Sequence, residues 1–201
     1  MKLYTNPASP FARKCRVIAH ELKIKLEEIV VMARDDESLR RFNPLKKIPI
    51  LILDDGSALF DSPVICEYLN EFGGGKFFPG MSIWRSVSGR WKALGLQALC
   101  DGIMDAAVGC RYEVLVAEDR RNADHIARHM ASVAAGLDAL ERVTFSDVPT
   151  IGEVSAGCAL GYLDFRYPDL NWRDGHPKLA EWFAKFAQYK SMLATAPDVP
   201  S

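Results

Sequence analysis

The chemistry in this chain starts at Ser9-Pro10-Phe11-Ala12-Arg13-Lys14. Ser9 is a natural N-cap, and Pro10 suits the first helical position, where a missing N–H costs nothing. Phe11, Cys15, Ile18 and Leu22 then recur at steps of four, three and four, which is one face of a helix. A hydroxyl therefore sits at the mouth of a helix, among unpaired N–H groups and the positive end of the helix dipole. Such a mouth holds an anion: a phosphate, a carboxylate, or a thiolate, whose pKa falls in that setting. The plain alternative is a serine that caps its helix and does nothing more.

The elements around Ser9 follow from local pattern. Residues 2–5 read as a strand, broken by Asn6-Pro7-Ala8, and residues 26–31 read as a second. Residues 35–42 have the acidic start of a short helix that Asn43-Pro44 stops. Residues 50–53 and 57–60, flanking Asp54-Asp55-Gly56, give a hairpin signal. Ser62 then caps another helix with Pro63 at its first position and Val64, Ile65, Tyr68 and Leu69 as its apolar stripe. This β-α-β-α-β-β-α order is what a thioredoxin-like domain requires. It occupies residues 1–75, ends at Gly73-Gly74-Gly75, and is followed by a linker at 76–82. Residues 83–201 form an all-helical domain, with helical pattern at 83–116, 123–143 and 177–189. Thr150-Ile151-Gly152-Glu153 opens a further helix as a capping box. The expected class is α/β followed by all-α.

Composition removes several functions. Hydrophobic residues make up 49%, charged residues 25%, and the formal net charge is −1, which suits a folded domain with a core. Neither half of the chain is basic, so neither nucleic acid nor an anionic membrane is an expected partner. No apolar run reads as a membrane span, and Met1 leads straight into a strand without a signal-peptide pattern. Five cysteines without Cys-x-x-Cys spacing argue against a disulfide framework and a zinc ribbon, and point to the cytoplasm. His125 and His129, four apart, have no third ligand in pattern and read as a solvated helix face, so no metal is expected.

Three motifs in register, Ser9-Pro10-Phe11, then Asn43-Pro44-Leu45-Lys46-Lys47-Ile48-Pro49 and Phe60-Asp61-Ser62-Pro63, resemble the glutathione transferase family, in its bacterial serine-type form. The resemblance covers essentially the whole chain. It implies a thioredoxin-like fold independently of the element order, glutathione as co-substrate and a two-fold homodimer. It also implies that Pro49 is cis, exposing the backbone of Ile48 to the cysteinyl unit. By the same resemblance Asp61 and Ser62 hold the γ-glutamyl end, Lys47 lies near the glycyl end, and Phe11 lies beside the ligand. Lys46 stands where the family pattern usually has glycine, which leaves open which lysine faces the ligand.

For the sulfur, Ser9 aligns with the family's serine- or cysteine-bearing helix mouth. Tyr4 is a rival placed before the Asn-Pro break, and Cys15 lies on the apolar helix face. With Ser9-Pro10-Phe11-Ala12 where thioredoxins carry Cys-x-x-Cys, a dithiol mechanism has no sulfur to use. The expected reaction is conjugation of the glutathione thiolate to a small hydrophobic electrophile, a detoxification chemistry. That electrophile is expected between the Ser9 loop and the helical domain, against Phe11, Met104, Val108 and Tyr112. Two other readings are a non-catalytic binding module and a specialised glutathione-dependent lyase, isomerase or dehalogenase.

Overall fold

The first helix forms where its caps dictate. In the computed structural model, which describes residues 1–80 and 89–198, α1 spans Pro10–Glu21. Ser9 is its N-cap, with φ −83° and ψ 118°, and the Ala12 N–H donates to Ser9 Oγ at 3.3 Å. Before it, β1 (Lys2–Thr5) buries Leu3 and Thr5 and exposes Lys2, the alternation of a half-covered strand. β2 (Glu27–Val30), β3 (Ile50–Ile52) and β4 (Ala58–Leu59) complete a sheet of order β2-β1-β3-β4. β2 is parallel to β1, β3 is antiparallel to it, and β4 is antiparallel to β3. α2 (Ser62–Phe72) follows β4. Leu3, Ile18, Ile50, Leu51, Ile65 and Leu69 are wholly buried and form the core of this layer pair.

Several local expectations shift by a residue or shrink. The helix expected at 35–42 is a 3-10 turn, Glu37–Arg41, capped by Asp36. The hairpin strands are shorter than the apolar runs, because Asp55 Oδ1 accepts from both the Ser57 N–H and hydroxyl and builds a wider turn, with Gly56 at φ +87°. Asp61, not Ser62, takes the N-cap conformation of α2, which puts Ser62 at its first position and Pro63 at its second.

The chain divides into two units, Met1–Arg90 with Tyr189–Ser201, and Trp91–Gln188. The last two linker residues and the start of the expected helical run, 81–88, lie outside the described residues. The C-terminal segment was expected to stay with the helices. Instead α7 (Lys190–Ala194), preceded by Tyr189, packs in the first unit. The cause is Arg13 on α1, a buried guanidinium that donates to the Met192 carbonyl at 3.0 Å and reaches Thr195 Oγ1 at 3.5 Å.

The second unit is helical. It takes in most of α3 (Gly89–Val114), then α4 (Ala123–Glu141), α5 (Ile151–Arg166) and α6 (Pro177–Phe186). α5 is the central helix: every residue from Ile151 to Leu163 is buried. It starts at the expected capping box, in which the Gly152 N–H donates to Thr150 Oγ1 and the Thr150 N–H to Glu153 Oε2. Glycine at 152 has a packing reason, since a Cβ there would lie 2.9 Å from the Leu96 side chain. α3 corrects one expectation: among the described helices it has the length and apolar content of a membrane span. Its buried residues, Ala93, Cys100, Ile103, Met104, Ala107 and Cys110 among them, make it a core helix here.

Candidate functional site

Strand directions bring the chemistry together within the first unit. β4 runs parallel to β1, because each is antiparallel to β3. The helices that follow β1 and β4 therefore begin at the same end of the sheet. Tyr4 pairs with Ile50 and Leu51 with Leu59, so Ile48–Pro49 and Phe60–Asp61 also fall at that end. Two helix mouths, each with a serine, thus share one end of the sheet with the half-buried Ile48 and the buried Pro49, and the positive ends of both helix dipoles lie at that end. The Ile48–Pro49 peptide is cis, as the resemblance implies; Phe60–Asp61 is also cis, which no sequence signal announced.

At the first mouth, Ser9 is half-buried. Its oxygen accepts from Ala12, and its proton remains to be donated. The loop that carries it is held by Asn6, whose carbonyl accepts from the Ser9 N–H at 2.8 Å. The Asn6 side chain accepts from the Ala8 N–H and donates to the Val31 carbonyl. Both rivals to Ser9 are engaged elsewhere. Tyr4 packs its ring against Phe42, centroids 5.3 Å apart. Cys15 is fully buried, its Sγ 3.8 Å from that of Cys66 and 3.9 Å from the Ser62 carbonyl.

At the second mouth, Ser62 is 1% exposed, and its hydroxyl has no hydrogen-bonding partner among the described residues. The Asp61 carboxylate, although at the N-cap position, makes no capping bond and no ion pair among those residues. The two lysines separate clearly. Lys46 adopts a left-handed conformation, φ +54°, the geometry that glycine enters without steric cost, and its ammonium is paired with Glu37 and the Arg34 carbonyl. That pairing, with Arg40 alongside, holds the Glu37 carboxyl below its usual range. Lys47 is exposed, and its ammonium has no partner among the described residues. Asn43, almost fully buried, fixes this segment by donating to the Lys47 carbonyl at 2.8 Å and accepting from the Leu45 N–H.

Asn6 and Asn43 fix the segments that carry Ser9 and Lys47, and Arg13 ties α7 to α1. In the sequence Asn6-Pro7 reads only as a break, and Asn43-Pro44 as a helix stop at the head of the second motif. Of the residues expected around an electrophile, Phe11 and Val108 are half-buried and Tyr112 is exposed. Met104 is fully buried on the core side of α3 and has no surface to offer a substrate. His125 and His129 stack edge to face on α4, and no cluster of three metal-ligating side chains occurs among the described residues.

Comparison with known proteins adds a second line. Residues 8–71 match the model of the glutathione S-transferase N-terminal domain, and residues 123–185 match that of the C-terminal domain. The GST-like protein YibF of Escherichia coli strain K12 is 30% identical over 203 residues, 98% of this chain and 98% of the relative. A glutathione transferase family member from Pseudomonas fluorescens Pf-5, solved with bound glutathione, is 40% identical with a TM-score of 0.87, covering 98% of this chain and 99% of that one. A structure from the same organism with bound S-(propanoic acid)-glutathione gives 39% identity and a TM-score of 0.84, covering 99% and 100%.

Proposed function

This chain belongs to the glutathione S-transferase family, and on that premise we propose that it binds glutathione and transfers the thiolate to a small hydrophobic electrophile. The observation that carries the reading is the placement of two helix mouths, with the hydroxyls of Ser9 and Ser62, at the same end of the sheet as the backbone of Ile48. The glutathione and the S-(propanoic acid)-glutathione bound by the Pseudomonas relative support it.

In this reading each group takes one part of the tripeptide. The γ-glutamyl carboxylate sits at the α2 mouth on Ser62, and Asp61 meets its ammonium. The backbone of Ile48, turned outward ahead of Pro49, pairs with the cysteinyl unit like an added strand, and Phe11 packs beside it. Lys47 takes the glycyl carboxylate, because Lys46 is already paired with Glu37. Ser9 donates a hydrogen bond to the sulfur and, aided by the α1 dipole, stabilises the thiolate formed as the thiol proton leaves to solvent. The thiolate then attacks an electrophilic carbon, forming the C–S bond as the leaving group departs with its electron pair. A cytoplasmic homodimer completes the proposal, and sedimentation equilibrium tests its stoichiometry.

Calorimetric titration with glutathione, followed by conjugation to 1-chloro-2,4-dinitrobenzene, tests the reaction. Binding with turnover that depends on glutathione is expected. Absence of binding overturns the proposal, and binding without turnover of any aryl halide replaces it with a non-catalytic binding module.

A further inference from the structure

The helical unit holds a pair of imidazoles that the glutathione site does not use. His125 and His129 stand four apart on α4 and share one face of it. That face reads from the sequence as solvated; the structure lays it half-buried along α3. The two helices run antiparallel. Glu113 Oε2 accepts from the Asn122 N–H at 3.2 Å, Cys110 Sγ donates to the Ile126 carbonyl at 3.6 Å, and Gly136 lies against the Ile103 side chain. His129 comes to rest at Gly109, where a Cβ would lie 3.4 Å from its Nε2 and Cε1. The two rings meet edge to face, with centroids 4.2 Å apart. No nitrogen of either ring has a hydrogen-bonding partner among the described residues.

Polar nitrogens held partly out of water ordinarily find a partner, and two imidazoles at this spacing suit a metal ion. Histidines at i and i+4 are the chelating pair that a single helix offers. With metal–nitrogen bonds of about 2.0–2.1 Å, two imidazoles at a right angle on one ion have ring centres roughly 4–5 Å apart. The observed 4.2 Å already meets that separation. Glycine at 109 leaves the space beside His129 Nε2 without a side chain. The Glu113 carboxylate, bonded to the N–H three residues before His125, adds a negative charge nearby. Arg128 opposes a cation, but it is exposed, where solvent and salt screen it. Imidazole ligands, with neither a thiolate nor a cage of carboxylates, select the borderline divalent ions over magnesium and calcium.

We propose that His125 and His129 form a binding site for a divalent transition-metal ion of the nickel, copper and zinc kind, with water completing its coordination. The site is independent of glutathione, so its test needs none. The untagged full chain is titrated in a calorimeter with Ni²⁺, Zn²⁺ and Mg²⁺. Ni²⁺ and Zn²⁺ should bind at one ion per chain with dissociation constants below about 0.1 mM, and Mg²⁺ should not bind. His125→Ala and His129→Ala should each weaken Ni²⁺ about ten-fold or more, because a single imidazole remains. Ala127→His combined with His129→Ala keeps the number of histidines but sets the pair two apart, on different sides of the helix, and should bind no better than His129→Ala. His20 and His176 stay in every variant, so any binding by them is common to all. Circular dichroism and melting verify that each variant is folded, and either single alanine variant suffices for the test. No Ni²⁺ binding at millimolar concentration, Mg²⁺ binding as tight as Ni²⁺, unchanged Ni²⁺ affinity in a folded alanine variant, or affinity restored by the pair two apart overturns the proposal.

Discussion

Replacing Ser9 by alanine removes two separate contributions, because the oxygen and the proton of its hydroxyl do different things. The oxygen accepts from the Ala12 N–H at 3.3 Å, and losing such a cap costs about 0.5–2 kcal/mol of stability. In the proposed reading the proton is the part that meets the bound sulfur. A thiol with an ordinary pKa of about 8.5 is only about 3% ionised at pH 7. Bringing that pKa to about 6.5 takes roughly 2.7 kcal/mol of preference for the anion. The end of α1 supplies about 0.3–1 kcal/mol and one hydroxyl hydrogen bond to the anion about 1.5–3 kcal/mol. The hydroxyl is the larger contribution. Ser9→Ala should therefore raise the bound thiol's pKa by about one to two units and slow conjugation at pH 7 by about ten-fold or more. Activity should partly recover as pH rises, and glutathione affinity should change much less. Ser9→Asp separates the two contributions: aspartate caps as well as serine, so stability stays near wild type, while its charge beside the sulfur raises the thiol pKa at least as far. The assay is a pH–rate profile with 1-chloro-2,4-dinitrobenzene, beside ultraviolet titration of the bound thiolate and thermal melting. A wild-type profile in Ser9→Ala, with loss in Tyr4→Phe or Cys15→Ala, would refute the assignment of the sulfur to Ser9.

Three further outcomes are expected. Ser62→Ala should cost roughly 1.5–3 kcal/mol of glutathione affinity, about ten-fold or more in calorimetry, and unchanged affinity would remove the γ-glutamyl assignment. Arg13→Met should release α7 by stranding the Met192 carbonyl, lowering stability in urea by about 1.5–3 kcal/mol and exposing the C-terminal segment to proteolysis; neither change occurring would show that Arg13 is not the tether. His176 faces two acceptors, the Trp172 carbonyl at 2.6 Å and Asp138 Oδ1 at 3.0 Å. Burial opposes its charged form, but those two hydrogen bonds and the charges of Asp138 and Glu141 outweigh it and raise the pKa. A raised folded pKa means that the stabilisation is complete below the ordinary histidine value of about 6.5 and is lost as pH rises through the folded value. The melting difference between wild type and His176→Gln should thus be largest in mildly acid buffer and shrink toward pH 9; a constant difference would refute this.

What the sequence determined by itself was whatever is decided within three or four residues. Ser9 followed by Pro10 marks the start of α1 to the residue, and Thr150 with Glu153 marks the start of α5, because a cap is a bond between near neighbours. The strand runs and the order of the first seven elements were legible for the same reason. Their ends were not, since Asp55 and its turn shortened the hairpin. The tertiary structure decided what depends on residues far apart in the chain. Only the antiparallel register of β3 against β1 and β4 puts the mouths of α1 and α2 at one end of the sheet, and so brings Ser9, Ile48 and Ser62 to that end. Only the pairing of Lys46 with Glu37, nine residues earlier, leaves Lys47 as the lysine without a partner there. Met104 lay on a readable helix whose rotation no local rule fixes, and the return of α7 to α1 rests on a hydrogen bond spanning 179 positions. Local sequence chooses a helix and its cap; which face is buried, and which distant end it meets, is settled by the packing of the whole chain.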